Sequence, residues 1–364
     1  MIRMNLENLS NIFEPEIQNK LQNHEFPGFA MAVVEDGLEI YSYGAGHRDI
    51  VNKKPFDVNT LARFGSCSKS FTSLAILLLE DRELLNVQDP IRQYLPIDQE
   101  QSSEPITVHH LMTHTSGLPF VELENQGYTR KEFFLKTEKV VQQSRADLGE
   151  HIYSNLNFSI LQLLIEQVTD RPFGQIIREL ILQPLGMHRT LILYDEEASS
   201  LDENLSIPYE IKNGENQTSQ FIKSKWGFDE YVNGPGFLVS SCHEMLRFLD
   251  MVLHDGILDG TQVINPSIID KLLSRYVKDE ALSEALNLNA YFSYALGIKE
   301  NYKGLTFMNA SGLIEGGVSL IGLYYEAQVA FACVWNAIGT SSLFIYDLWD
   351  RVLETDQIFQ NLND

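Results

Sequence analysis

Three short stretches hold side chains that can do chemistry together. Gly65-Ser66-Cys67-Ser68-Lys69 places a hydroxyl and an amine three residues apart. Ser66 stands where an extended segment enters a helical pattern, so Lys69 falls on the same face about one turn later. A serine hydroxyl is a weak nucleophile and needs a base. A lysine serves if burial or a neighbouring positive charge lowers its pKa. The N-terminus of the helix favours negative charge developing beside the serine. Taken alone, the tetrad also fits a capping serine and a surface lysine. Tyr153-Ser154-Asn155 adds a hydroxyl able to relay a proton and an amide able to orient a carbonyl or the lysine. By itself it equally fits a loop tyrosine ahead of a helix cap. Between the two lies a third run, residues 110–119, HLMTHTSGLP.

Other chemistries have weaker support. His109, His110 and His114 are spaced closely enough to suggest a metal, but no cysteine or carboxylate sits in register, and no metal is expected. Cys67 adjoins Ser66 without any signature of a catalytic thiol and reads as a small buried hydrophobe. There is no G-x-S-x-G elbow, no G-x-G-x-x-G and no G-x-x-x-x-G-K-[ST]. An α/β-hydrolase and a nucleotide cofactor are therefore not expected, and no cofactor is assigned.

The elements that must position these residues show in the pattern. Residues 29–34 are apolar, 35–37 contain Asp-Gly, and 38–43 alternate, which is a hairpin signal. Residues 66–84 carry apolar positions at helical spacing, as do 158–168, 173–182 and 242–253. Residues 195–224 are polar and acidic and read as a long surface loop. Two strand-like runs, 318–325 and 329–335, are joined by a short turn, and a last helix covers 343–353. No repeat and no low-complexity segment is present. Strands at both ends and helices between them predict one sheet built from both termini, with a helical region inserted. The expected division is 1–70 with 232–364 as the sheet domain and 71–231 as the mainly helical region.

Composition limits the partners. The 364 residues include 50 Asp and Glu against 27 Lys and Arg, a formal charge of −23. Nucleic-acid binding needs basic clusters, and an anionic membrane face would repel such a chain, so neither partner is expected. A 44% apolar share is that of a globular protein. The first fourteen residues lack the apolar run of roughly 7–15 residues of a secretory signal. The longest clean apolar run, residues 329–335, is far below the ~20 needed to span a bilayer. Cys67, Cys242 and Cys333 read as free thiols in a reducing compartment. The expected address is cytoplasmic. Nothing in the pattern sets an oligomeric state.

The motifs together resemble the serine β-lactamase-related superfamily, which includes class C β-lactamases, DD-peptidases, and esterases and acyltransferases of the same fold. Ser66-x-x-Lys69 matches the nucleophile motif within residues 61–73, LARFGSCSKSFTS. Residues 111–119, LMTHTSGLP, match a structural signature of the group. Tyr153-Ser154-Asn155 matches Tyr-x-Asn, and residues 234–241, GPGFLVSS, resemble the loop-to-helix segment before the last strands. The likeness covers about residues 27–336. It implies an α+β fold of the β-lactamase/transpeptidase type, an antiparallel sheet from N- and C-terminal strands flanked by helices.

The resemblance implies roles position by position. Ser66 would be acylated, Lys69 would take its proton, and Tyr153 would act as co-base and later as proton donor. Asn155 would hold the substrate carbonyl or the Lys69 ammonium. The oxyanion hole would be the N–H groups of Ser66 and of the residue after the third motif. That motif departs from the pattern. Its best match is Ala310-Ser311-Gly312, with Leu313 next, and the usual basic first residue is absent. Asn309 would take that place only by a register shift. The loss weakens the case for a β-lactam or a peptide carboxylate. The expected function is a serine hydrolase forming an acyl-enzyme on a small-molecule carboxylic ester or amide. Acyl transfer by the same intermediate, β-lactamase or DD-peptidase activity, and an inactive binding homologue remain as alternatives.

Overall fold

Asp36 and Gly37 both adopt left-handed backbone, with φ of 47° and 77°. Two such residues in a two-residue loop match the right-handed twist of the strands they join. They connect β1 (Gly28–Glu35) to β2 (Leu38–Asp49) in the hairpin that the Asp-Gly signal predicts. The computed structural model describes Met4 and residues 6–97, 104–120, 129–143, 148–192, 203–213, 219–223 and 234–363. Among them, β3 (Lys54–Pro55), β4 (Val277–Lys278), β5 (Asn289–Phe292), β6 (Gly297–Tyr302), β7 (Leu305–Ile314), β8 (Gly317–Tyr324) and β9 (Val329–Trp335) complete one antiparallel sheet. Its order is β4-β5-β6-β7-β8-β9-β1-β2-β3. The two ends of the chain meet where β1 pairs with β9, Phe29 opposite Trp335 and Glu35 opposite Val329.

Both faces of the sheet are covered. Strand side chains alternate between faces, so Ala30, Ala32 and Val34 of β1 join one core cluster and Phe29, Met31 and Val33 the other. The second face is closed by the terminal helices Leu9–Gln22 and Leu343–Asn363, whose Phe13 and Trp349 rings meet edge to face at 5.6 Å. The first face is closed by helices Ser68–Asp81, Asn155–Thr169 and Cys242–Leu253. There Phe71 stacks on Phe248 at 4.4 Å.

Most elements lie where the pattern puts them, with shifted ends. The helix expected over 66–84 is a 3₁₀ turn, Gly65–Cys67, followed by Ser68–Asp81. The stretch expected over 173–182 is helical only over Phe173–Ile177 and then widens into a π turn, Arg178–Leu182. The loop expected over 195–224 needs correction. Its described part contains strands Tyr209–Asn213 and Ser219–Lys223, paired antiparallel, with Ala337–Ile338 alongside the first. The polar composition hid a short alternation, and the pairing partner at 337 is remote in sequence. Residues 195–202, 214–218 and 224 lie outside the described residues. No helix among the described residues is long and apolar enough to cross a membrane.

Candidate active site

The chain must turn sharply to bring Ser66 to the head of its helix. Strand Ala62–Arg63 pairs with Leu238–Ser240, and Phe64 donates its N–H to the Leu238 carbonyl at 3.0 Å. Gly65 then takes a φ of +50°, and a Cβ there would come within 3.1 Å of the Leu313 nitrogen and 3.3 Å of Gly312. Glycine is required both by the backbone angle and by the close approach of β7. Ser68 locks the turn: its hydroxyl donates to the Gly65 carbonyl at 2.6 Å and accepts the Leu238 N–H at 2.9 Å. Ser66 thus lies over the N-terminus of an apolar, buried helix, where partial positive charge gathers.

Lys69 lies beneath it. Only 6% of the residue is exposed. Its Nζ donates to Ser66 Oγ at 2.9 Å, Asn155 Oδ1 at 3.0 Å and the Pro235 carbonyl at 3.3 Å. The Tyr153 and Phe158 rings lie 5.0 and 5.5 Å from the nitrogen. Every partner is neutral, so burial dominates and pushes the Lys69 pKa down to about 7. The surface-lysine alternative does not hold. Tyr153 Oη completes the cluster 2.8 Å from Ser66 Oγ. Burial raises its pKa above the ordinary phenol value, although the bond to Ser66 pulls the other way.

The HTSG run holds the Tyr-x-Asn segment in place. His114 has φ +57°, and its Nδ1 accepts the Ser154 N–H at 3.1 Å. That nitrogen is therefore an acceptor, and the Asn157 amide donates to it as well, at 3.1 Å. The His114 carbonyl accepts from Ile152 N–H at 2.8 Å, and Ser154 Oγ donates to the Pro119 carbonyl at 2.8 Å. Asn155 opens its helix next to Lys69. Burial lowers the His114 pKa well below the usual imidazole value, with Lys69 and His151 acting in the same sense. His114 is thus a neutral positioning ring against Tyr153, centroids 4.6 Å apart. The three clustered histidines go to separate partners. His109 bonds Tyr294 Oη at 2.6 Å, and His110 accepts the Thr107 N–H at 3.1 Å.

The third motif sits on β7. Gly312 lies so close to the turn that a Cβ would stand 1.9 Å from the Phe64 carbonyl oxygen. Ser319 on β8, opposite Gly312, donates to that same oxygen at 2.8 Å and bonds Cys67 Sγ at 3.3 Å. Leu313 is 65% exposed at the rim, with its nitrogen beside Gly65. Ser311 is exposed and lines the pocket with Ala310. The strand is in regular register, Asn309 opposite Gly322 and Ala310 opposite Ile321. Asn309 does not replace the absent cation. Its Oδ1 accepts from Lys299 at 2.7 Å and its Nδ2 donates to Tyr346 Oη at 2.8 Å, toward the C-terminal helix.

A pocket of about 250 Å³ opens at Ser66 and Lys69 and runs along β5, β6 and β7. Met112, Phe158, Phe292, Tyr294 and Leu296 give it mainly apolar walls. Sequence reasoning missed Pro235, Ser319 and the positioning role of His114. The GPGF stretch and the HTSG run were the available signals for two of them. Nothing local marked Ser319.

An antiparallel sheet carrying a Ser–Lys–Tyr cluster at the head of a buried helix defines a protein of the β-lactamase fold. Residues 13–353 match the Beta-lactamase family model, and the chain belongs to that family. Protein flp of Staphylococcus aureus (strain MW2) is 26% identical over 250 residues, 65% of this chain and 48% of that protein. The chain therefore spans about half the length of the curated relatives of this type. Among solved structures, an octameric penicillin-binding protein homologue from Pyrococcus abyssi superimposes with a TM-score of 0.82 at 24% identity, covering 97% of this chain and 78% of that one. D-amino acid amidase from Ochrobactrum anthropi SV3 gives 0.77 at 21% identity, covering 98% and 99%. These two likenesses establish the fold.

Proposed function

We propose that the protein is a serine hydrolase that forms an acyl-enzyme on a small-molecule carboxylic ester or amide. The observation that carries the reading is Lys69: a buried amine held 2.9 Å from Ser66 Oγ, with its pKa lowered to about 7 and no carboxylate partner. Near neutral pH a large share of Lys69 is free amine, whereas Tyr153 keeps its proton. Lys69 is accordingly the base, and Tyr153 the relay. Ser66 Oγ attacks the carbonyl carbon and its proton passes to Lys69 Nζ. In this reading the N–H groups of Ser66 and Leu313 serve as the oxyanion donors, worth about 3–4 kcal/mol each in related chemistry. Collapse expels the alcohol or amine, which takes a proton from Lys69 through Tyr153. Water then adds to the acyl ester and gives a proton to Lys69; the C–Oγ bond breaks as that proton returns to Ser66 Oγ, releasing the acid and the free enzyme.

The absent cation at Ala310 and the apolar walls support an ester or amide over a β-lactam. Three buried cysteines, each a free thiol, support a reducing compartment. A fluorophosphonate probe with peptide mass mapping tests the reading, alongside turnover of p-nitrophenyl esters. Label is expected on Ser66, and none on folded Ser66→Ala. A folded wild type that is neither labelled nor active sinks the proposal. Rapid nitrocefin turnover would instead move the substrate class to β-lactams.

A further inference from the structure

The pocket that opens at Ser66 also carries a carboxylate in its lining. Asp279 lines it, half-buried, with His151, Tyr291 and Phe292. Its N–H donates to the Ala290 carbonyl at 2.9 Å, which ties it to β5. One carboxylate oxygen, Oδ1, accepts the Leu282 N–H at 2.9 Å and caps the short helix Glu280–Leu286. The other makes no hydrogen bond among the described residues.

The remaining charged side chains of the pocket are committed elsewhere. Lys69 is bound to Ser66, Asn155 and Pro235. Lys299 also lines the pocket, but its ammonium bonds Asn309 Oδ1 and lies 4.9 and 5.3 Å from the Phe307 and Tyr346 rings. Position 310, where a cation would offset a carboxylate, is alanine. His151 stacks flat on Phe292, centroids 3.9 Å apart and planes 7° apart, and burial lowers its pKa so that the ring is neutral at neutral pH. Among the described residues, Asp279 is the only carboxylate that lines the pocket, together with the rings of His151, Tyr291 and Phe292.

We propose that the pocket receives, beside Asp279, a primary ammonium carried on the acyl part of the substrate, with Asp279 as its counter-ion. The inference rests on the serine-hydrolase reading and narrows its substrate class. An ammonium donates charge-assisted hydrogen bonds to a carboxylate. It is also attracted to an aromatic ring such as that of Tyr291, which lines the same pocket. An anionic group in the same place would meet the Asp279 carboxylate, whose field also reaches Lys299, a cation already bonded to Asn309. The overall charge of −23 raises the local concentration of cations in the same direction.

The test compares the p-nitroanilides of phenylalanine, in both configurations, with that of 3-phenylpropionic acid, which lacks only the amino group. Wild type should prefer one of the ammonium-bearing anilides by about tenfold in kcat/KM, the order that a half-buried charge-assisted pair supplies. Asp279→Asn keeps the helix cap, because asparagine caps as well as aspartate, and should bring the ratio close to one. A ratio unchanged by Asp279→Asn, or a wild-type preference for the neutral anilide, overturns the proposal. A second readout needs no turnover. 2-Phenylethylamine should raise the wild-type melting temperature more than 3-phenylpropionate does, and Asp279→Asn should remove the difference. If both ligands act alike on wild type, Asp279 is not a cation site. Fluorophosphonate labelling of Ser66 in the same preparations separates the two failures. Labelled protein with no ammonium preference refutes Asp279 alone, whereas unlabelled, inactive protein refutes the serine reading while the melting shift still judges Asp279.

Discussion

Lys69→Met removes the charge of the base while keeping its length, and its effect on stability has a sign that depends on pH. Burial takes the Lys69 pKa from 10.5 to about 7 in the folded protein, while the unfolded chain keeps the higher value. Between those two pH values the unfolded state holds a proton that the folded state has released, so wild-type stability rises with pH across that window. The penalty is complete below about 7 and gone above 10.5. At 1.36 kcal/mol per pKa unit it is on the order of 4 kcal/mol at pH 7 and about 2 kcal/mol at pH 9. Methionine does not titrate and carries no such penalty. It does leave the Asn155 and Pro235 oxygens without their donor, at about 1–3 kcal/mol each, but that cost is independent of pH. The expected result is a difference of differences. The stability of Lys69→Met relative to wild type should fall by about 2 kcal/mol between pH 7 and pH 9, read from urea unfolding curves at each pH. In parallel, wild-type acylation should rise to a plateau with a midpoint near 7. The variant should acylate roughly a hundred- to ten-thousandfold more slowly. A stability difference that stays flat over this range, or an acylation rate still climbing at pH 9, would refute the argument that burial makes Lys69 a base.

Two further outcomes follow from the supports around the site. Ser319→Ala deletes the hydroxyl that ties β8 to the Phe64 carbonyl just before Gly65-Ser66. It should cost about 1–2 kcal/mol of stability and lower kcat about tenfold with KM nearly constant, as the oxyanion donors lose their spacing; a raised KM with intact kcat would contradict this. His114 is buried with its pKa lowered, so its contribution is present above the unfolded imidazole value of about 6.5 and is lost as pH falls below it. The wild-type melting temperature should therefore drop on acidification from about pH 6.5, and His114→Gln should flatten that drop. Equal slopes in the two proteins would remove His114 from the account.

Local order made much of this chain legible. The Asp36-Gly37 hairpin, the two apolar runs that became β8 and β9, and the helical spacing after Ser66 depend on turn chemistry and side-chain periodicity within a few residues. The serine–lysine spacing is of the same kind, since one helical turn alone makes the two side chains neighbours. The element boundaries were less legible. The π turn after Ile177 had no local signal, and the hairpin inside the acidic stretch answers to Ala337, more than a hundred residues away.

By itself, then, the sequence determined which residues could react and the order of the elements that carry them. Tertiary structure decided what those residues became. Lys69 is an ordinary lysine by spacing and a base only because Tyr153, Asn155 and Pro235 bury it among neutral acceptors. His114 read as one of three clustered histidines, and the fold turned it into the acceptor for Ser154. Asn309 stood one position from the missing cation, and the fold tied its side chain to Lys299 and Tyr346. Asp279 was one acid among many until β5 placed it in the pocket. Each of these outcomes depends on desolvation and on the side of a sheet a residue faces, and both are set by chain segments far apart in the sequence.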